Sequence, residues 1–210
     1  MTSIRAFSEI LRDETIPDGD RTQYAGIIFD ETLRLTRLLD DLLDLSVLEN
    51  GQVSLNITQT TLEDILNRAI AASSPEQGGL KIKRVASQER FEIETDVDRL
   101  AQVFINLISN AQKYCVAGNP TLSIRVLTSG GATYVDFVDN GKGIATDEQT
   151  VIFEKFSRLT DTSKAGGAGL GLAICREIMD KLGGAIEYLP GQGGTAFRVR
   201  LPQRRAMAAQ

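Results

Sequence analysis

The apolar positions in the N-terminal part of the chain recur three or four residues apart, the spacing of a helix with one buried face. They predict a short amphipathic helix over Thr2–Glu14, a turn over Thr15–Asp20 and a long helix over Arg21–Leu48. The long helix carries a leucine stripe of the kind that forms the seam of a helical bundle. Because one hairpin cannot cover such a stripe, we expect two copies to pair as a four-helix bundle. The alternative is that the stripe packs on the rest of the same chain.

Beyond Asn50-Gly51, which ends the long helix, helical spacing alternates with strand-like patterns. This mixture predicts an α+β fold, in which a two-layer α/β sandwich follows the helical hairpin. We expect the hairpin over residues 1–50, the second domain over residues 51–203 and a frayed tail over residues 204–210. The predicted helices of the second domain are Thr61–Ser73, Asp96–Cys115 and Leu170–Leu182. The predicted strands are Val53–Ile57, Leu80–Val85, Phe91–Glu94, Leu122–Leu127, Thr133–Val138, Ala185–Leu189 and Thr195–Leu201.

The helix over Asp96–Cys115 carries both a core face and a polar stripe. Asp96 is a natural N-cap, and the acidic Asp98 falls in the first turn. Asparagine has modest helix propensity because its side chain competes for backbone hydrogen bonds. Two asparagines one turn apart therefore predict either a polar binding site or buried structural amides. The core face comprises Leu100, Phe104, Leu107, Ile108 and Ala111, and the polar stripe comprises Asn106, Asn110, Lys113 and Tyr114.

The composition excludes several classes of protein. With 210 residues, of which 42% are hydrophobic and 24% charged, the chain is typical of a soluble globular protein. Its net charge of −5 argues against nonspecific nucleic-acid binding. No apolar run is long enough for a membrane span, and the two cysteines are typical of a reducing, cytoplasmic compartment. The sequence contains no histidine, which excludes a histidine-based triad and a histidine-ligated zinc site.

A glycine-rich segment, Asp139-Asn140-Gly141-Lys142-Gly143, comes directly after a predicted strand. Its glycines let the backbone pass close to a flat ligand, and its aspartate can accept a hydrogen bond from an exocyclic amine such as that of adenine. Tight turns use the same residue types, so the segment alone also fits a simple turn.

A second glycine-rich run, over Gly166–Leu172, opens a predicted helix, where free backbone amides favour phosphate. No strand precedes this run and no Gly-Lys-Ser/Thr follows it, so it is neither a Rossmann fingerprint nor a P-loop. Between the two glycine segments, Ile152–Arg158 carries two phenylalanines, which predict a hinged lid or a small core helix. Gly193-Gly194-Thr195, at a strand start, is by itself only a turn.

Together, the order and spacing of these segments resemble the ATP-binding region of sensor histidine kinases. That family shares the Bergerat fold with gyrase-type and heat-shock-chaperone ATPases. The resemblance covers nearly the whole chain, because Leu42–Gly51 is similar to the second helix of the family's dimerisation hairpin. The matching motifs are the N box (Asn106–Tyr114), the G1 box (Asp139–Gly143), the F box (Ile152–Arg158), the G2 box (Gly167–Leu172) and the last glycine motif (Gly193–Thr195).

The resemblance implies ATP and Mg²⁺ as the ligands of these motifs. Asn110 would ligate Mg²⁺ through its amide oxygen, a hard ligand suited to this ion, and Lys113 would reach phosphate, so that both would serve the transfer step. Asp139 would accept a hydrogen bond from the adenine amine, with Tyr114 beside the ring. Asn106 would support the phosphate and metal region. Gly141 and Gly143 would leave room for the adenine, and Thr195 would line its pocket. The second glycine run would expose backbone amides to the triphosphate; it contains Gly167, Gly169, Leu170 and Gly171.

The first helix departs from the family pattern. Thr2–Arg5 matches only the end of the acceptor motif H-E-L-R-T-P-L-T-S-I-R, and the acceptor histidine and its neighbouring acid are missing. We therefore expect no autophosphorylation by this chain. We also expect it to be cut from a longer kinase, which could be membrane-anchored, rather than to be a natural acceptor-less relative.

The resemblance implies a homodimeric kinase that passes the ATP γ-phosphoryl to a histidine and then to an aspartate of a response regulator. Two alternatives remain open. The first is an acceptor-less binding module that docks a response regulator or a partner kinase. The second is a gyrase-like ATPase, in which a glutamate such as Glu154 or Glu177 would activate water.

Overall fold

The computed structural model describes residues 2–13, 15–51, 54–73, 79–85, 91–157 and 169–201. The chain divides into two compact units, Met1–Ser46 and Val47–Gln210. No helix in the described ranges is long and apolar enough to cross a membrane.

The first unit is a helical hairpin. Helix α1 covers Thr2–Ile10, and helix α2 begins at Asp18 and runs to Glu49, so its last turn belongs to the second unit. The rings of Phe7 and Tyr24 stack with their centroids 5.3 Å apart, which packs the two helices together.

The turn of this hairpin differs from the prediction at both ends. Helix α1 stops at Ile10, because the Asp13 carboxylate accepts hydrogen bonds from the backbone amide and hydroxyl of Thr15, at 2.9 and 2.7 Å. Such a local side-chain turn competes with the helix. Helix α2 starts earlier than predicted, since Asp18 and Asp20 occupy its first turn, where negative charge is favourable. Glu14 lies outside the described residues.

The second unit is a two-layer α/β sandwich, which confirms the predicted α+β class. The helices are α3 (Leu62–Ser73), α4 (Val97–Tyr114) and α5 (Gly171–Leu182). The strands are β1 (Ile57–Thr61), β2 (Lys81–Val85), β3 (Glu92–Asp96), β4 (Thr121–Ser129), β5 (Ala132–Asp139), β6 (Ala185–Tyr188) and β7 (Ala196–Leu201). Five of these strands form a mixed sheet in the order β2-β4-β5-β7-β6, in which β2 and β4 are parallel and the other pairs are antiparallel. A separate two-stranded ribbon pairs β1 with β3.

Helix α4 is the central helix of this unit and packs against α3, α5 and the sheet. Phe104 on α4 meets Phe137 on β5 with ring centroids 5.2 Å apart, and both side chains are buried. All of the predicted core face of α4 is buried, as are the inward positions of α3 and α5. The apolar face therefore fixes the rotation of α4 and directs its polar stripe along one border of the core.

The strands of the small ribbon are shifted from their predicted positions. Residues 54–56 are irregular, and the first strand is Ile57–Thr61 in place of Val53–Ile57, although Val53 lies outside the described residues. The third strand is likewise Glu92–Asp96 in place of Phe91–Glu94. Pairing decides both shifts, since Ile57 aligns with Asp96 and the Asp96 carboxylate accepts a hydrogen bond from the Asn56 amide at 2.9 Å. Strand position here depends on a distant partner rather than on local alternation.

Candidate functional site

Helix α4 begins at the N-cap that the sequence predicts. Asp96 has extended backbone angles, and its carboxylate accepts a hydrogen bond from the Arg99 amide at 3.1 Å. Asn106 and Asn110 are half-buried beside the core face, and Lys113 and Tyr114 are exposed near the C-terminal end. The cap and the buried face thus set four polar side chains of α4 along one line, as predicted.

The two asparagines of this stripe have different surroundings. The Asn106 amide nitrogen donates a long hydrogen bond of 3.4 Å to the carbonyl oxygen of Gly171, where α5 begins. The side chain of Asn110 makes no hydrogen bond within the part of the chain that the structure describes. Asn106 therefore joins α4 to the start of α5, and the Asn110 amide oxygen is left available for a ligand.

Asp139, the last residue of β5, is held in place by two backbone amides. Its Oδ1 accepts hydrogen bonds from the Gly141 and Thr195 amides, both at 2.8 Å, and its own amide donates to the Thr195 carbonyl oxygen at 2.9 Å. The side chain is buried, with 7% of its surface exposed. Its Oδ2 carries no hydrogen bond among the described residues. One carboxylate oxygen is thus fixed by the protein, and the other can accept from a ligand.

The last glycine motif packs directly on Asp139. A Cβ atom on Gly194 would lie 2.0 Å from the Asp139 carbonyl oxygen and 3.0 Å from its Oδ1. No side chain fits there, so the close approach of β7 to Asp139 requires glycine. The sequence motif was recognised, but this contact was missed because it joins residues far apart in the chain.

Gly143 and Tyr188 lie next to the contact between Gly194 and Asp139. Gly143 has a φ of 77°, and a Cβ there would lie 3.5 Å from the Gly194 carbonyl oxygen and 3.7 Å from the Tyr188 hydroxyl. The Tyr188 hydroxyl accepts a hydrogen bond from the Ile144 amide at 3.3 Å. Tyr188 was also missed by the sequence analysis, since an aromatic residue in a short strand is most simply read as core.

The segment predicted as a lid or a small core helix forms turns in the described residues 151–156. Its two phenylalanines differ: Phe153 packs edge-on against Phe197, with centroids 6.1 Å apart, whereas Phe156 is 57% exposed. Phe156 also has a φ of 61°, which is uncommon for a bulky side chain. The core helix is therefore not formed, and the lid remains a prediction. Arg158 lies outside the described residues.

Gly169 lies against this segment at the end of the second glycine run. A Cβ on Gly169 would lie 2.6 Å from the Ser157 carbonyl oxygen, and its φ of 72° is left-handed. Leu170 follows as the N-cap residue of α5, makes no side-chain capping bond and is fully buried. The first-turn amides of α5 therefore lack a side-chain cap, although the Leu170 side chain itself cannot reach a ligand. Gly167 lies outside the described residues.

Two thiols lie in or near this region, and both are buried and free. Burial, and then the negative charge of Asp139, raise the pKa of Cys115. Burial raises the pKa of Cys175 to about 12. Both cysteines therefore remain protonated thiols at neutral pH. The described residues contain no group of three or more histidine, cysteine, aspartate or glutamate side chains that could hold a metal ion.

Two family models match the chain. Residues 95–205 match the histidine kinase-, DNA gyrase B-, and HSP90-like ATPases. Residues 1–51 match the His Kinase A (phospho-acceptor) domain. The chain belongs to the sensor histidine kinases. The first match covers the whole arrangement of α4, Asp139, the α5 N-terminus and Gly194, which confirms the resemblance inferred from the motifs.

A curated relative of this sensor histidine kinase region is sensor protein KdpD of Escherichia coli (strain K12), 34% identical over 210 residues. The match covers 98% of this chain but 23% of KdpD, so the chain spans about a quarter of that relative.

Solved kinase structures show the same fold. Histidine kinase AdeS of Acinetobacter baumannii is 26% identical, with a TM-score of 0.76 over 95% of this chain and 93% of that one. Full-length ShkA in complex with AMPPNP is 26% identical, with a TM-score of 0.74 over 95% of this chain and 42% of that one. Histidine kinase ThkA in complex with response regulator TrrA has a TM-score of 0.78 at 23% identity, over 97% of this chain and 57% of that one.

Proposed function

We propose that this kinase region binds Mg-ATP and transfers the γ-phosphoryl to a histidine that lies outside the present sequence. The observation that carries the proposal is the Asp139 carboxylate, whose Oδ1 is fixed by the Gly141 and Thr195 amides while its Oδ2 makes no hydrogen bond among the described residues. An acceptor held in this way, next to backbone without side chains, suits the exocyclic amine of a flat base. The AMPPNP complex of ShkA supports ATP as the ligand.

The residues of α4 suit the metal and phosphates of such a ligand. The Asn110 amide oxygen, which makes no protein hydrogen bond among the described residues, is a hard donor of the kind that Mg²⁺ prefers. Because no acidic cluster accompanies it there, the nucleotide phosphates would supply further ligands to the ion. When bound, Mg²⁺ would neutralise charge on the transferring phosphoryl group.

The other residues would position the nucleotide. Asn106 would hold α4 against the start of α5, whose uncapped amides would bind phosphate, and Lys113 would add a positive charge. Tyr114 would lie beside the base, and Thr195 would line its pocket. Gly169 and Gly171, together with Gly167 outside the described residues, would leave the backbone accessible. Leu170 would contribute only its backbone, since its side chain is fully buried.

The acceptor lies outside the present sequence in this proposal, because these 210 residues contain no histidine. The phosphoryl group would then pass from that histidine to an aspartate of a response regulator. Binding of TrrA to ThkA supports a response regulator as the partner. We propose a cytoplasmic location, since both cysteines are free thiols.

An acceptor-less binding module is the second candidate, and the missing histidine favours it. Such a module would dock a response regulator or partner kinase and bind ATP without transferring phosphate. A gyrase-like ATPase has less support, because no acidic side chain lies on the α4 stripe. Release of inorganic phosphate from ATP, lost on replacing Glu177, would restore that third candidate.

The nucleotide site is tested by replacing Asp139 with asparagine. Asp139→Asn keeps an acceptor for the Gly141 and Thr195 amides but presents an NH₂ group where Oδ2 lies. A hydrogen bond to a charged group contributes about 1.5–3 kcal/mol, so the ATP Kd should rise about 10- to 100-fold. The measurement is calorimetric titration with ATP and GTP, with wild-type protein expected to bind only ATP. Equal binding of GTP, or an unchanged Kd in the variant, would refute the adenine assignment.

The hairpin should form a homodimer through α2. In the isolated chain, α2 exposes five large apolar side chains: Phe29, Leu33, Leu39, Leu43 and Val47. Leu43→Asp should give monomers, because pairing would bury an unpaired charge. Gln23→Asp, an exposed polar position on the opposite side of the same helix from Leu43, is the control and should leave assembly unchanged. Light scattering over a range of concentrations measures this, and a wild-type chain that stays monomeric throughout would contradict the proposal.

A further inference from the structure

One side chain joins the end of α4 to the loop that carries Asp139. The Asn140 Oδ1 accepts hydrogen bonds from the Thr121 amide at 2.8 Å and from the Cys115 thiol at 3.2 Å. Its amide nitrogen donates to the Asn119 carbonyl oxygen at 3.0 Å. The side chain thus uses both ends of its amide, and each bond reaches a different point of the chain.

The partners of Asn140 belong to separate elements. Cys115 is the C-cap residue of α4, and its own amide donates to the Ala111 carbonyl oxygen at 3.0 Å. Asn119 precedes β4, and Thr121 is its first residue. Because α4 also carries Asn110, this junction adds to the core packing of α4 on β5 in setting the position of Asn110 relative to Asp139.

The Asp139 carboxylate has its own supports. Its Oδ1 is held by the Gly141 and Thr195 amides, and neither bond involves the Asn140 side chain. Removing that side chain should therefore leave the Asp139 carboxylate in place while the end of α4 becomes free to shift. The α4 residues that would serve metal and phosphate would then lose their alignment with the Asp139 carboxylate. Each of these two halves of the site would itself remain intact.

We propose that Asn140 is a positioning residue, which holds the α4 residues that serve metal and phosphate at a fixed distance from the Asp139 carboxylate. This inference rests on the proposed nucleotide site. It follows that the loss of Asn140 weakens a ligand that spans both halves, such as Mg-ATP, more than one that occupies only the adenine half, such as adenosine.

Cys115 takes part as a hydrogen-bond donor rather than as a reactive thiolate. Burial and the neighbouring Asp139 charge raise its pKa, so the thiol keeps its proton at neutral pH and can donate to Asn140. Cys115→Ser keeps a donor at this position and Cys115→Ala removes it. The difference between these two variants isolates the hydrogen bond, since their side chains are similar in size.

The experiment compares Asn140→Ala, Cys115→Ala and Cys115→Ser with Gln112→Ala. Gln112 is the matched control because its amide nitrogen also donates to a backbone carbonyl at 3.0 Å, that of Ser73, but joins α4 to the end of α3. The Kd of Mg-ATP is measured by calorimetry and that of adenosine by NMR titration, alongside the melting temperature.

We expect Asn140→Ala to raise the Mg-ATP Kd about tenfold and the adenosine Kd less than about threefold, in line with the loss of one or two hydrogen bonds. Cys115→Ala should act in the same direction, and Cys115→Ser should restore most of the affinity. Gln112→Ala should lower the melting temperature without changing either Kd.

Different results would refute the nucleotide site and the positioning role of Asn140. Wild-type protein that binds neither ligand would refute the nucleotide site itself. If wild-type protein binds, equal losses for Mg-ATP and adenosine in Asn140→Ala would overturn the positioning role alone. Should Asn140→Ala not fold, the cysteine pair decides, and equal Mg-ATP affinities for Cys115→Ser and Cys115→Ala would overturn it.

Discussion

Replacing Gly194 with alanine is expected to abolish nucleotide binding. The added methyl group would lie 2.0 Å from the Asp139 carbonyl oxygen, and a backbone atom cannot rotate out of the way as a side chain can. Strand β7 must then move away from Asp139, which breaks the 2.8 Å bond from the Thr195 amide to Oδ1. We expect a destabilisation of about 3 kcal/mol, the upper part of the range for overpacking. The ATP affinity should fall at least about 100-fold.

Gly191→Ala is the matched control for this prediction. Gly191 belongs to the same turn and has a φ of 78°, but no atom of the described residues lies within 4 Å of its Cβ position. Alanine there should cost about 1 kcal/mol through backbone strain and leave the ATP affinity nearly unchanged. Denaturant unfolding measures the stability of both variants and calorimetric titration measures their ATP affinity. Together they separate the effect of the steric clash at position 194 from that of backbone strain at position 191. A Gly194→Ala protein with wild-type affinity would contradict the geometry described for Asp139.

Local pattern was sufficient to predict much of the fold. The α4 face from Leu100 to Ala111 and its cap at Asp96 depend on neighbours within one or two helical turns, so periodicity identifies them. The α1 end at Ile10 was missed because an Asp13–Thr15 turn outcompetes the helix. Strand β1 was misplaced because its register depends on β3, far along the chain.

In the candidate site, too, features within a short motif can be predicted from the sequence, whereas contacts between distant residues cannot. Asp139 and Gly143 stand together in one short motif, and the sequence singles them out. The fit of Gly194 against Asp139, the Tyr188 bond to Ile144 and the Asn140 junction all join residues that are distant in sequence. No single-sequence pattern encodes those distances, since they arise only when β5 and β7 pair and α4 packs beside them.

Replacing Asn110 with alanine is expected to abolish phosphoryl transfer from ATP to a separately supplied acceptor hairpin, while leaving the fold intact. Asn110 is half-buried and makes no side-chain hydrogen bond among the described residues, so the substitution should cost little stability. Loss of a metal ligand should reduce the transfer rate about 100-fold or more, since the ion neutralises charge on the transferring group. Gln112→Ala, two residues further along α4 but directed to α3, is the control and should retain transfer. A fully active Asn110→Ala protein would remove Asn110 from the proposed mechanism.

The central claim, that this chain is a kinase site acting on a histidine it does not contain, is tested most directly with radiolabelled ATP. The chain is incubated with Mg²⁺ and ATP labelled at the γ-phosphate, first alone and then with a separate helical hairpin that carries the family's acceptor motif. Alone, it should acquire no acid-labile phosphate, because the sequence has no imidazole to hold it. With the hairpin, label should appear on the hairpin, slowly, since the bimolecular reaction lacks the effective concentration of a tethered acceptor. Tight ATP binding without label on any of several such hairpins would contradict the account and favour the acceptor-less binding module.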